Sequence, residues 1–241
     1  MSTNQSLVKV GGIEAVVLYK PVKNLHLNIL PPDGRVRVTA PLNMSDDAIR
    51  TFLATRITWI KKMQANFKGQ ERQSPREYVS GETHYLFGNK YKLEVVDSGV
   101  SPSVAIKGKS KIVLSIKPKT DVLKREQIMQ DWYRVELRGV LNKSVAKWES
   151  KIGVKTSHLG IRRMKTRWGT CNHKQKNIWF NLELAKKPTS CIEYVIVHEL
   201  LHLIEEKHSE KFIKLLTKYL PKWQSEKEEL NRLILAHEEW K

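Results

Sequence analysis

Apolar positions alternate with polar ones along much of the first half of the chain and recur at helical spacing along the second. Leu25, Leu27 and Ile29 alternate with His26 and Asn28, Pro31-Pro32-Asp33-Gly34 reads as a turn, and Val36 and Val38 resume the alternation before Pro41. This predicts a hairpin with one buried face, inside a run of strands and turns over residues 7–41. Ser45-Asp46-Asp47 has the form of a helix start, a capping hydroxyl followed by two acids in the first turn. Ile49, Phe52, Leu53, Ile57 and Ile60 then supply the apolar stripe of one helix reaching about Phe67. The polar stretch 69–77, with Gly69 and Pro75, reads as a loop and a candidate hinge between two lobes. Tyr91, Leu93 and Val95 alternate again, and 104–106 and 112–116 complete a second small group of strands.

From about residue 120 the period changes. Val122, Ile128, Met129, Trp132, Leu137, Val140, Leu141, Val145 and Trp148 recur at helical spacing up to Gly153. Residues 160–172 and 177–182 read as two short strands joined by a turn around Asn172 to Asn177. Pro188, Thr189 and Ser190 lead into a helix with Ile192, Ile196, Leu200 and Leu203 inward and His198 and His202 toward a cleft. Ser209 and Glu210 open the next helix, with Phe212, Leu215, Leu216 and Tyr219 buried. Pro221 interrupts, and a charged last helix turns Trp223, Leu230, Leu233 and Ile234 inward. The fold class is therefore α+β: a strand-rich, mostly antiparallel region with one helix over 1–119, and a small helical core over 120–241, which can form one continuous body. No internal repeat is evident.

Composition narrows this picture in two places. The chain has 241 residues, with hydrophobic content of 40% and charged content of 28%, ordinary for a globular protein with a sizeable core. No apolar run approaches the length of a membrane span, and the first residues lack the basic start and apolar centre of a signal peptide. Two cysteines, Cys171 and Cys191, make no disulfide framework and point to a reduced, cytoplasmic setting. The net charge of +18 is the unusual quantity, and its lysines and arginines are spread through every segment. Such a surface attracts polyanions, nucleic acid first, though it also serves solubility alone.

The chemistry concentrates in His198-Glu199-Leu200-Leu201-His202, followed by His208. Histidines four apart project from one helix face and can grip one metal ion, while the intervening glutamate can polarise a water instead of ligating. A catalytic zinc needs three protein ligands and an open position, and His208 is the natural third ligand once a turn folds it back. Hydrolysis through that water would use Glu199 as general base and a second donor at the oxyanion, for which Tyr194 and Arg167 are possible donors, although each reads first as a structural residue. Cys171 and Cys191 are expected to be small buried residues, because three imidazoles already complete an open site. His26, His84, His158, His173 and His237 have no partners at ligand spacing, and the cluster from Arg162 to Arg167 reads as a partly solvated, salt-bridged strand face.

These residues resemble the YgjP-like family of small zinc metallopeptidases, within the zincins. The resemblance rests on Arg167-Trp168-Gly169-Thr170-Cys171, on Asn181-Leu182 with Pro188, and on Tyr194 through Leu203 with Glu205, His208, Ser209 and Phe212. Ser80-Gly81-Glu82 and Tyr85-Leu86-Phe87-Gly88 extend it over nearly the whole chain, and Thr170 stands where the family more often has serine. The resemblance implies a zincin-like metallopeptidase core, a zinc cofactor held by His198, His202 and His208, Glu199 as catalytic base, and a protein or peptide substrate. The histidine helix also looks like that of SprT-type proteases, which cut proteins crosslinked to DNA. The rival reading is a basic nucleic-acid-associated protein whose zinc site is structural or regulatory; no membrane partner is expected.

Overall fold

The computed structural model describes residues 5–30, 34–69, 76–99, 101–164 and 167–232. These form two compact units that part between Gly69 and Arg76. In the first, β1 (Gln5–Val10), β2 (Ile13–Lys20), β3 (His26–Leu30) and β4 (Arg35–Pro41) lie in the order β1-β2-β4-β3. The expected hairpin is present, with Leu27 opposite Val38 and Ile29 opposite Val36. Its turn at Pro31–Asp33 lies outside the described residues. Alternate positions Val8, Ala15, Val17, Val36, Val38 and Ala40 are buried together with Ile49, Leu53 and Ile60. Those last three come from α1 (Asp46–Ala54) and α2 (Ile57–Gly69), where sequence pattern predicted a single helix. The break has a local cause. The Thr55 hydroxyl donates to the Phe52 carbonyl and the Arg56 N–H takes the Leu53 carbonyl, tightening the last turn of α1 and ending its ladder. Ser45 caps α1 as expected, accepting from the Ala48 N–H at 3.3 Å.

The second unit opens with β5 (Thr83–Leu86), β6 (Asn89–Asp97), β7 (Ser103–Lys107) and β8 (Lys111–Ile116), ordered β5-β6-β8-β7. This repeats the first sheet: outer antiparallel ladders flank a central parallel one, β2 with β4 and β6 with β8. No sequence repeat announces it, because the shared feature is pairing order rather than residue identity. Leu86, Leu93, Ile112, Leu114 and Ile116 join one hydrophobic core with Met129, Tyr133, Leu137, Leu141 and Val145 of α3 (Val122–Ile152). The strands of residues 83–116 thus share their core with the helices that follow, and the compact units part between Gly69 and Arg76. The candidate hinge at 69–77 falls at that division, with 70–75 outside the described residues.

A three-stranded sheet follows, ordered β10-β11-β9, from β9 (His158–Arg162), β10 (Gly169–Asn172) and β11 (Asn177–Asn181). The predicted hairpin is β10 with β11; the first of its expected strands is interrupted, since residues 163–164 and 167–168 lie outside the sheet. A 3₁₀ turn (Leu182–Lys186) leads to α4 (Thr189–Leu201), α5 (Glu210–Tyr219) and α6 (Trp223–Arg232). Ile192, Ile196 and Leu200 are fully buried as expected, but so are Val197 and Leu201, so α4 is enclosed on nearly every side. Leu203 lies past the end of α4 and is partly buried, and Leu233 and Ile234 lie outside the described residues.

Candidate metal centre

Helix α4 delivers His198 and Glu199 from its last turns, and His202 caps its C-terminal end, still in helical conformation. The chain then tightens, the Glu205 N–H bonding to the Leu201 carbonyl at 2.9 Å. Ser209 caps α5 by accepting from the Phe212 N–H at 3.3 Å, which fixes His208 one residue before the cap. The donor atoms of His198, His202 and His208 all come within 4.8 Å of one another. Phe212, fully buried, sits under the three imidazoles with its ring centroid 5.0, 4.8 and 4.9 Å from theirs. Sequence periodicity placed Phe212 only on the buried face of α5; its shared contact with all three histidines depends on the turn between α4 and α5.

Protonation favours ligation. The His202 Nδ1 lies 3.1 Å from the Glu205 carbonyl oxygen, so that nitrogen carries the proton and Nε2 presents a lone pair. The His198 and His208 Nε2 atoms face each other at 3.0 Å. Burial, reinforced by His202 and His208, pulls His198 down to about 3, and burial lowers His202 as well. Both are therefore neutral near pH 7.

Glu199 is 6% exposed and makes no hydrogen bond to a described residue. Burial pushes its carboxyl up to about 8 against the opposing charge of Arg167. Gly169, the first residue of β10, lies directly against it: a Cβ there would stand 2.6 Å from both Cγ and Oε1 of Glu199. The glycine is thus required by close approach of a strand to the carboxylate, a reason that residue spacing could not supply. The loop before β10 is held by Asn181. Its Nδ2 donates to the Met164 and Arg167 carbonyls at 2.8 Å each, and its backbone N–H donates to the Trp168 carbonyl at 2.9 Å. Asn181 and Gly169 were legible only as parts of a resemblance, and the structure gives each a task.

An open cleft of about 610 Å³ runs over these groups, lined by Arg167, Cys171, Tyr194, His198, Glu199 and His202 among others. Cys171, expected in the interior, is only partly buried and faces this cleft, because it shares the Gly169 face of a short strand beside α4. Burial and the neighbouring Glu199 push its thiol up to about 11, which keeps it protonated. Cys191 is fully buried as expected, and both thiols are free. Tyr194 is 7% exposed and its phenol is pushed up to about 12, by burial first and then Glu199. Arg167 is exposed. In the Arg162–Arg167 cluster, Arg163 pairs with Glu126 at 3.3 Å and Arg162 lies over the Trp179 ring, as a salt-bridged strand face would, while Lys165 and Thr166 lie outside the described residues. His84 is buried against Glu82 and Tyr133, His158 lies against Trp179, His26 is exposed, His173 pairs with Glu206 at 3.5 Å, and His237 lies outside the described residues.

The YgjP-like metallopeptidase-domain family matches residues 23–233. The chain belongs to this family. The solved structure of the metallopeptidase zymogen abylysin of Pyrococcus abyssi is similar over 39% of this chain and 99% of its own, at 19% identity and a TM-score of 0.36. No curated protein matches.

For a YgjP-like metallopeptidase, the three imidazoles are a group that could hold a metal ion; among the described residues Cys191, Glu226 and Glu229 also bring their donor atoms within 4.8 Å of one another. The imidazole set fits. Tetrahedral zinc with Zn–N bonds of about 2.0–2.1 Å sets its nitrogens about 3.3 Å apart. The 3.0 Å approach of the His198 and His208 Nε2 atoms, with the third imidazole oriented by Glu205, lies close to that spacing.

Proposed function

We propose that this YgjP-like metallopeptidase is a zinc-dependent enzyme in which His198, His202 and His208 hold the ion and Glu199 is the general base. The observation that carries the reading is the convergence of three imidazole donors within 4.8 Å at a cleft where a buried carboxyl makes no hydrogen bond to a described residue. Zinc held by three imidazoles, with one position open, supplies Lewis acidity and brings the pKa of a water to about 7. Glu199, in its ionised form, would take a proton from the attacking water and return it to the leaving amine; a cation held by the three histidines would favour that form against the burial that pushes the carboxyl up to about 8. Gly169 leaves the space that the carboxyl of Glu199 occupies, and burial of Glu199 and Tyr194 in the cleft wall strengthens their interactions with a bound substrate. Strand β10 is at the edge of its sheet beside α4, so an extended peptide can add to it through backbone hydrogen bonds, which gives protein or peptide substrates a route into the cleft.

The rival reading, nucleic-acid association with a structural or regulatory metal, has the net charge of +18 as its support. A peptidase recruited by phosphate contacts would combine the two, and only its binding would weaken steeply as salt rises. Free thiols favour a cytoplasmic setting, and no described helix is long and apolar enough to cross a membrane.

The test joins metal analysis with hydrolysis of fluorescein-labelled casein. Native protein is expected to carry about one zinc per chain, and His202→Ala to lose it. Glu199→Gln should keep the zinc and lose at least about 10²-fold in hydrolysis. Full activity in Glu199→Gln would remove the base assignment, and a folded native protein that takes up no zinc would remove the peptidase reading.

A further inference from the structure

We propose that Tyr194 is a further catalytic residue of this cleft, its phenol O–H donating a hydrogen bond to the carbonyl oxygen of the scissile peptide as negative charge develops there. The proposal rests on the metallopeptidase reading and concerns the donor that hydrolysis requires in addition to the metal. A tetrahedral intermediate needs preorganised donors aimed at the oxygen that becomes anionic, and these act most strongly where water is excluded.

Three observations single out Tyr194. Tyr194, His198 and His202 stand at i, i+4 and i+8 on α4, so they share one helix face, and all three line the same cleft. The ring is held edge-on to the His198 imidazole, with centroids 5.8 Å apart and an interplanar angle of 60°, so the phenol is positioned by the same side chain that would position the metal. The hydroxyl is also left without a partner among the described residues. A buried tyrosine normally hydrogen-bonds its O–H; Tyr133, 4% exposed, reaches His84 Nδ1 at 3.4 Å. Tyr194, 7% exposed, makes no hydrogen bond to any described residue, and its oxygen is not among the enclosed, unpartnered polar atoms of the described structure. A ring packed in the wall with an accessible, uncommitted O–H is a donor directed at whatever enters the cleft.

Arg167, the other cationic or polar candidate near Glu199, is less suited to the task. Its side chain is exposed, it sits in the loop ahead of β10, and its charge already acts on the Glu199 carboxylate. The tyrosine keeps its proton throughout: it donates a hydrogen bond and transfers nothing, while proton transfer remains with Glu199.

The decisive variant is Tyr194→Phe, which retains the ring and its packing on His198. The zinc-loaded native and variant proteins are compared in hydrolysis of an internally quenched peptide cleaved by the native protein, and in calorimetric binding of two probes. One probe is a dipeptide phosphoramidate, whose tetrahedral anionic oxygen imitates the developing oxyanion; the other is the product peptide. The expected result is unchanged zinc content, a kcat lower by about 10²–10³-fold with little change in KM, and phosphoramidate binding weakened far more than product binding. Equal phosphoramidate affinity, or an unchanged kcat, in a zinc-replete variant overturns the proposal. Loss of zinc from Tyr194→Phe overturns it as well, because the tyrosine is then a support for His198. Native protein that takes up zinc but neither cleaves peptides nor binds the phosphoramidate sinks the peptidase reading itself, a result distinguishable by the behaviour of the native chain alone.

Discussion

Gly169 and Glu199 are far apart in sequence, and each accounts for the other. The carboxylate occupies the space where any larger residue at 169 would place its Cβ, 2.6 Å away. Gly169→Ala must therefore push Glu199 or β10 aside. The expected outcome is a stability loss of about 1–3 kcal/mol and a large fall in kcat with zinc content unchanged, read by urea denaturation and metal analysis on one preparation. Phe212 acts on the ligands in a different way, as the common floor of three imidazoles. Phe212→Ala opens a cavity beneath them and should cost about 3–5 kcal/mol together with weaker zinc retention in competition with a chelator. A variant that kept native zinc affinity would show that the turn and cap alone orient the ligands.

At the scale of elements, the site is a junction of one helix end, one helix start and one strand edge. Ser209 is the residue that ties α5 to the ligand turn. Ser209→Ala removes a cap worth about 1 kcal/mol and releases His208, so zinc affinity should fall measurably more than global stability. Asn181 does the same for the strand side, bonding Met164, Arg167 and Trp168 into the loop that leads to Gly169. Asn181→Leu leaves several buried backbone groups unpaired, at about 1–3 kcal/mol for each, and should reduce kcat while leaving the three histidines and their zinc in place. Much of this level was legible beforehand: the caps at Ser45 and Ser209, the α3 stop at Gly153 and the β10–β11 turn all follow from local chemistry. The break between α1 and α2 was not, because Thr55 and Arg56 fit the apolar stripe's spacing and end the ladder only through their own hydrogen bonds.

Across the whole molecule, buried histidines set the response to acid. His84 is pulled down to about 3 by burial first and then by the nearby charges of Arg76 and Lys186, and His198 to about 3 in the metal-free protein. Unfolded histidines titrate near 6.5, so between about 3 and 6.5 the unfolded chain binds more protons than the native one. The histidine contribution is therefore complete above that window and declines as pH falls through it, by up to about 1.4 kcal/mol per pH unit for each histidine, opposed in part between about 4.5 and 8 by Glu199, whose buried carboxyl holds its proton more tightly in the native state. Urea midpoints of metal-free protein at pH 7 and pH 4.5 check this, and His84→Gln should show a smaller acid loss than the native chain. The division ahead of Arg76 carries its own expectation: a chain beginning there contains a complete core and the three proposed ligands, and should fold and take up zinc as the full chain is proposed to do.

Periodicity by itself determined that strands precede helices, and the i, i+4 geometry of a helix determined that His198 and His202 share a face, because both follow from the local geometry of a regular backbone. The three-imidazole cluster also needed His208, which spacing could nominate but only a turn between α4 and α5 brings into reach. Tertiary structure alone decided the repeated β1-β2-β4-β3 pairing order, the shared core that assigns β5–β8 to the helical unit, and the opening of Cys171 onto the cleft. It also decided the contact of Gly169 with Glu199. These are properties of which surfaces meet across long stretches of chain, and a residue pattern records only the face that a segment will bury, not the partner that buries it.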